Sequence, residues 1–246
     1  MRILVVGGTH GDEETGIKTV SLLKRKLITG IDALIANPRA TKLHQRFTES
    51  DLNRSFGVQN PRTYEERRAV HLIEVLKQYD LIIDFHNTVS RTTCAILTVS
   101  RPTWRQLQVA THLGMNRVVI MPPGHSLAGQ NPSKTLGLEI STSDKEFSAS
   151  FLVDRIKSIS QEAKNVDSTG LTIYRYGGIK VGIENLASAG LKSDEFADFH
   201  PISKEKLKLL SLSTKAQVPF LVREPAYGKG FAFKVAEIIK KGKGES

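Results

Sequence analysis

The chain has 246 residues, of which 39% are hydrophobic and 24% charged, an ordinary globular composition that excludes a disordered or fibrous chain. No apolar run approaches the ~20 residues that span a bilayer, and Cys94 is the only cysteine, which excludes intrachain disulfides and a thiolate zinc cluster. The net charge of +10 invites a nucleic-acid reading, but the basic residues are spread along the chain without a nucleic-acid-binding fingerprint, so the expectation is a basic surface that favours anionic small molecules.

"MRILVVGG" predicts a buried strand over residues 2–7, stopped by Gly7 and Gly8. It shows no signal-peptide pattern, so a cytoplasmic protein is expected. Residues 14–28 repeat Ile17, Val20, Leu23 and Leu27 at helical spacing, and residues 32–37 read as a second strand ending at Pro38. Residues 38–60 are polar and without period, and a connection that long in a compact domain is usually functional. A helix is predicted over 63–79, strands over 80–86, 93–100 and 117–121, a helix around 103–114, a strand over 135–141 and a helix over 147–164. Strands alternating with helices predict an α/β fold, a mostly parallel mixed sheet flanked by helices. After residue 167 the segments 171–183, 206–213, 218–224 and 231–241 read as strands, with no convincing helix between them. The expected organisation is therefore a catalytic domain over 1–166 and a small β-rich domain over 167–246, with the boundary near "NVDSTG".

The first loop, "GGTHGDEETG", carries an imidazole and three carboxylates where a strand-to-helix turn needs only a glycine and a cap. It lacks the Lys-Ser/Thr pair of a phosphate loop, and its acidity would repel phosphate, so it suits a cation. Ligand sites in open α/β sheets lie off the carboxyl ends of the strands. His10 and Glu13 follow the first strand, His86 closes "DLIIDFH", and Glu139 sits in "TLGLEIS". If those strands are neighbours, the four residues meet in one cleft. Two imidazoles and a carboxylate form the ligand set of many catalytic zinc sites, and a carboxylate off the metal, Glu139, can move protons. Asp84, two residues before His86, points to the same face and can orient a ring. Taken singly, His-x-x-Glu arises often by chance and His86 reads first as a paired core histidine. His44, His71, His112, His125 and His200 read as surface residues.

Three blocks in this order, "GGTHGDE", "NPRATKLHQRFTESDLNRSF" (37–56) and "DFHNT", resemble the succinylglutamate desuccinylase/aspartoacylase family of the zinc carboxypeptidase-like superfamily. The resemblance runs from Gly7 to about Glu139 and returns in "EPAYGKGFAF" (224–233). It implies that His10, Glu13 and His86 bind one zinc ion and that Glu139 is the general base and proton shuttle. It implies further that Arg46 helps polarise the scissile carbonyl, that Asn53 and Arg54 hold the substrate carboxylate, and that Tyr227 closes on the substrate from the C-terminal domain.

The chain departs from the family pattern twice. Ser141 stands where a glycine usually follows the glutamate, and the arginine that takes a second substrate carboxylate is missing, with only Lys134 in "AGQNPSKTLGLE". The implied function is a zinc-dependent deacylase that hydrolyses the amide of an N-acyl amino acid, with a single substrate carboxylate as the safer requirement. The alternatives are a metallocarboxypeptidase acting on short peptides and a binding protein that holds metal or metabolite without turnover. The expected partner is a small molecule, with no nucleic acid and no membrane, and a homo-oligomer is left open.

Overall fold

Alternate residues of Ile3–Gly7 (β1) are buried on opposite faces, Ile3 and Val5 in one apolar cluster and Leu4 and Val6 in another. Such a strand needs neighbours on both edges and layers on both faces. The computed structural model, which describes residues 1–90, 94–162, 169–213, 215 and 217–242, supplies both. The remaining strands are Ile31–Ile35 (β2), Leu81–Thr88 (β3), Ala95–Thr98 (β4), Arg117–Ile120 (β5), Thr135–Ser141 (β6), Thr172–Gly182 (β7), Gln217–Phe220 (β8) and Phe231–Lys240 (β9). They form one sheet in the order β2-β1-β3-β6-β4-β5-β7-β9-β8. β2, β1, β3 and β6 are mutually parallel, as are β4, β5 and β7, while β4 against β6 and the β7-β9-β8 edge are antiparallel.

The helices are Glu14–Lys26 (α1), Pro38–Leu43 (α2), Tyr64–Leu76 (α3), Trp104–His112 (α4), Leu127–Gln130 (α5), Ala149–Glu162 (α6), Ile183–Ser188 (α7) and Lys204–Leu209 (α8). Val20 and Leu23 of α1, Val109 of α4 and Ile156 of α6 cover one face, and Leu72 and Leu76 of α3 cover the other with Leu52 and Phe56. α3 starts where a capping box starts it, with Thr63 accepting from the Glu66 N–H and Glu66 accepting from the Thr63 N–H.

Two glycines of the first loop have backbone reasons. Gly8 has φ +67°, and a Cβ on Gly11 would stand 2.1 Å from the Ala40 carbonyl carbon of α2. The loop is therefore pressed against α2, which puts residues 9–13 beside the segment that follows α2.

The alternating α/β part follows the predicted order, with ends shifted by a few residues. In the 38–60 connection, α2 and a 3₁₀ turn over Leu52–Arg54 replace the irregular chain expected there. The predicted strand over 206–213 is wrong, and α7 and α8 are helices in a region expected to hold none. Leu207 and Leu209, alternating with Lys206 and Lys208, mimic a strand, but Ser203 accepts from the Lys206 N–H and caps a helical turn instead. The strand expected over 218–224 stops at Phe220 because Leu221 and Arg223 have φ of +53° and +59°. Strands β7–β9 make the C-terminal part β-rich, and β7 pairs with β5, so this part continues the same sheet. Residues 93, 163–168 and 243–246, on which some predicted ends and the domain boundary fall, lie outside the described residues.

Candidate metal centre and active site

Glu13 stands between two imidazoles. Its Oε1 lies 2.7 Å from His10 Nδ1 and its Oε2 lies 3.1 Å from His86 Nδ1. His10 and Glu13 come from the loop after β1, and His86 from β3, the strand beside it. All three are buried, and one donor atom of each lies within 4.8 Å of the others.

The far side of each ring is tied to another carboxylate. His10 Nε2 is 3.0 Å from Asp51 Oδ1, and His86 Nε2 is 3.0 Å from Asp84 Oδ2. Asp84 in turn accepts from the Thr9 hydroxyl at 2.8 Å, and Asp51 accepts from the Asn53 N–H at 2.8 Å. A carboxylate on Nε2 fixes the tautomer that carries its proton there and turns the Nδ1 lone pair to the centre, the arrangement common around metal-binding histidines.

The electrostatics point the same way. Burial opposes ionisation of Glu13, but the His86 and His10 rings outweigh it and hold its pKa at about 2. Burial would lower the pKa of His86, yet Asp84 and Glu13 raise it well above the ordinary value, and Glu13 and Asp51 raise that of His10. Asp51, part-buried, is drawn below the usual carboxylate range by His10, Arg46 and Arg54. Glu13, Asp51 and Asp84 thus face two imidazoles and the Arg46 guanidinium, which sits 3.7 Å from Glu13 and 3.5 Å from Asp51. With neutral rings this cluster carries two surplus negative charges, which a divalent cation would balance. Nitrogen and carboxylate donors of this kind fit zinc, and an ion binding there would displace protons from the rings.

One strand away, Glu139 of β6 is the register partner of His86. Its carboxyl makes no hydrogen bond among the described residues, and burial raises its pKa to about 7. Asn53 and Arg54 come from the 3₁₀ turn after Asp51. The Asn53 side-chain oxygen accepts from the Leu127 N–H at 3.1 Å, which leaves its amide NH₂ to donate elsewhere. Arg54 is exposed and spends one N–H on the Asn53 carbonyl at 2.8 Å. Tyr227 approaches from the C-terminal edge of the sheet, just before β9. His10, Glu13, Arg46, Asn53, Arg54, His86, Glu139 and Tyr227 line one small cavity. All eight sequence-predicted site residues are therefore brought together.

Four further residues were not singled out by sequence. Asp51 lay inside a quoted motif, but nothing in its spacing marked it as the partner of His10. Glu224 lines the same cavity and accepts from the Thr88 hydroxyl at 2.5 Å and the Val89 N–H at 3.1 Å, joining the C-terminal wall to the end of β3. Lys234 stands behind Tyr227. Glu65, on α3, shapes the 44–56 segment by accepting from the N–H groups of Thr48, Glu49 and Ser50.

The doubly flanked mixed sheet thus carries at its strand ends a His-Glu-His cluster that could hold a metal ion, with an acidic side chain beside it. Residues 1–131 match the succinylglutamate desuccinylase/aspartoacylase catalytic domain, and the chain belongs to that family. It is 33% identical over 128 residues to the probable aspartoacylase of Trichodesmium erythraeum (strain IMS101), covering 46% of this chain and 43% of that protein. It is 37% identical over 114 residues to an N-acyl-aromatic-L-amino acid amidohydrolase (carboxylate-forming) of Xenopus laevis, covering 39% and 37%. The chain spans about two fifths of the length of the curated relatives it matches. The crystal structure of the succinylglutamate desuccinylase from Chromobacterium violaceum superposes with a TM-score of 0.74 over 97% of this chain and 85% of that one, at 15% identity, a likeness of fold.

Proposed function

We propose that the chain is a zinc-dependent deacylase that hydrolyses the amide bond of an N-acyl amino acid to a carboxylate and an amine. The observation that carries this reading is the pairing of His86 with Glu139, which sets an unbonded carboxyl beside the His10–Glu13–His86 cluster. A cation bound there would supply Lewis-acid polarisation of the carbonyl and acidify a water at neutral pH.

The rest is the work of the chain's own residues. Glu139 accepts a proton from the attacking water as the new C–O bond forms, and it returns that proton to the nitrogen as the C–N bond breaks. A base with its pKa near the working pH performs both transfers. Arg46 donates to the oxygen on which charge develops, where a charge-assisted bond is worth most. Arg54 and the Asn53 amide receive the carboxylate of the amino acid, a planar guanidinium being suited to a two-point grip. Tyr227 closes the opposite wall. The relatives support this reading and differ among themselves in the amino acid named for them, aspartate in one and aromatic residues in another.

The reading is tested with zinc-loaded protein against N-acetylaspartate, N-acetylated aromatic amino acids and N-succinylglutamate, beside dipeptides and longer peptides. Release of amine from at least one N-acyl amino acid, absent in Glu139→Gln, is expected. Cleavage of peptides alone would transfer the site to carboxypeptidase chemistry, and zinc binding without any turnover would make it a binding protein.

A further inference from the structure

A buried cation stands behind Tyr227 with no carboxylate in ion-pair contact among the described residues, the carboxylates that act on it being Glu139 and Glu224 of the cavity. Lys234 is 4% exposed, in the middle of β9. Its face of that strand continues through Ala236 into an apolar cluster with Tyr174, Tyr176 and Phe220. The Nζ donates to the Tyr227 hydroxyl at 2.6 Å and lies 4.0 Å from the centroid of the Tyr227 ring. The Tyr176 and Phe220 rings are 5.3 and 5.8 Å away. Among the described residues Lys234 forms no ion pair.

Burying an ammonium this way is costly, and three aromatic faces with the Glu139 and Glu224 charges of the cavity offset the cost only in part. A methionine of similar length would pack there without it. Structure alone therefore gives the charge little reason to be here, whereas the cavity gives it one. An ammonium can only donate, so the Tyr227 oxygen must accept from it, and the phenol's own proton has to point elsewhere. Tyr227 lines the cavity together with Arg54 and Asn53, and no other hydrogen bond engages its hydroxyl among the described residues.

We propose that Lys234 is a positioning residue that locks Tyr227 as a hydrogen-bond donor facing the substrate's carboxylate, opposite Arg54. This rests on the deacylase reading and extends it, because it makes the C-terminal wall part of carboxylate recognition rather than a passive cover. Without Lys234 the Tyr227 hydroxyl is free to rotate or to accept, and the carboxylate loses a fixed donor. The effect falls on substrate binding, and it disappears once the hydroxyl is gone.

The test uses zinc-loaded Lys234→Met, Lys234→Gln, Tyr227→Phe and the Lys234→Met/Tyr227→Phe double variant, with crystal structures, thermal unfolding and steady-state kinetics. Lys234→Met is expected to displace the Tyr227 hydroxyl, to melt no lower than the parent, and to raise KM about tenfold with kcat within about threefold. In the Tyr227→Phe background the same substitution is expected to change KM less than twofold. Unchanged KM with an unmoved hydroxyl would overturn the proposal, as would an equal KM effect with and without the hydroxyl. Failure of both Lys234 variants to fold would mark the lysine as structural and overturn it too. If the parent protein cleaves no N-acyl amino acid, the deacylase reading falls. The position of Tyr227 in Lys234→Met then still decides whether Lys234 orients it.

Discussion

His86 and Glu139 are register partners on neighbouring parallel strands, β3 and β6, so two residues 53 positions apart are held at the same height of the sheet. His86 is bonded on both ring nitrogens, to Glu13 and to Asp84, while the Glu139 carboxyl has no hydrogen-bond partner among the described residues. One strand pair thus separates a fixed ligand candidate from an uncommitted proton carrier.

Glu139→Gln is expected to keep the metal and lose turnover by about 10²–10⁴-fold, the range for a lost general acid–base. Metal content and kcat measured on the same preparation check this, and normal kcat would remove Glu139 from the mechanism. The metal-free protein carries a second signature. Burial raises the Glu139 pKa in the folded chain from 4.5 to about 7, so between those values the folded state holds a proton that the unfolded state has released. Stability from this group is therefore lost as pH rises across that window, and Glu139→Gln should flatten that part of the curve.

The metal ligands predict a second outcome. Elemental analysis of the parent should give about one zinc per chain, and His86→Ala should lose most of it, since three protein ligands define such a site. Asp84→Asn keeps the ligand but removes the carboxylate from His86 Nε2, and it should weaken zinc affinity about 10–100-fold, the usual cost of losing such a support. Stoichiometric zinc in His86→Ala would mean that another residue is the ligand.

Much of this site was legible in the sequence because its parts sit where strands end. His10, Glu13, His86 and Glu139 each follow or close an apolar run, and a parallel sheet brings such ends together. Asp51 and Lys234 were not legible for different reasons. Asp51 reaches His10 across 41 residues through a connection with no hydrophobic period to place it. Lys234 follows "GFAF" on a strand, and a lysine there reads as a solvent-facing residue until the Tyr176 and Phe220 rings are seen around it. The same weakness misread α8, where leucines alternating with lysines follow strand spacing and only the Ser203 cap reveals a helix.

Arg54→Lys should raise KM about tenfold or more with little change in kcat, because an ammonium keeps the charge but not the two-point geometry. Asn53→Ala should act similarly and also weaken the start of α5, since it removes the acceptor of the Leu127 N–H. Kinetics on the best N-acyl substrate separate the two effects from thermal stability. Unchanged KM in Arg54→Lys would return this exposed arginine to a role in solvation.

Glu65 predicts the acid limit of the fold. Its buried carboxylate accepts from the Thr48, Glu49 and Ser50 N–H groups, the Thr48 hydroxyl and the Asn37 amide. Burial opposes the charge, but the Thr48 and Asn37 bonds outweigh it and hold the pKa down from 4.5 to about 2. In the folded chain the group stays ionised where the unfolded chain would take up a proton, so its stabilisation is complete above about 4.5 and is lost as pH falls towards about 2. The contribution at neutral pH is on the order of 3 kcal/mol. Glu65→Ala should remove at least that much, because it takes the shared acceptor from the buried Asn37 amide and the part-buried donors of Thr48, Glu49 and Ser50, and it should flatten the acid limb of the stability curve. Because the segment it pins leads directly into Asp51, Asn53 and Arg54, KM should rise in the same variant. Denaturant unfolding at pH 3, 5 and 7 checks the first claim and substrate kinetics the second. A variant as stable as the parent at pH 7 would show that the 44–56 segment holds its shape without this carboxylate.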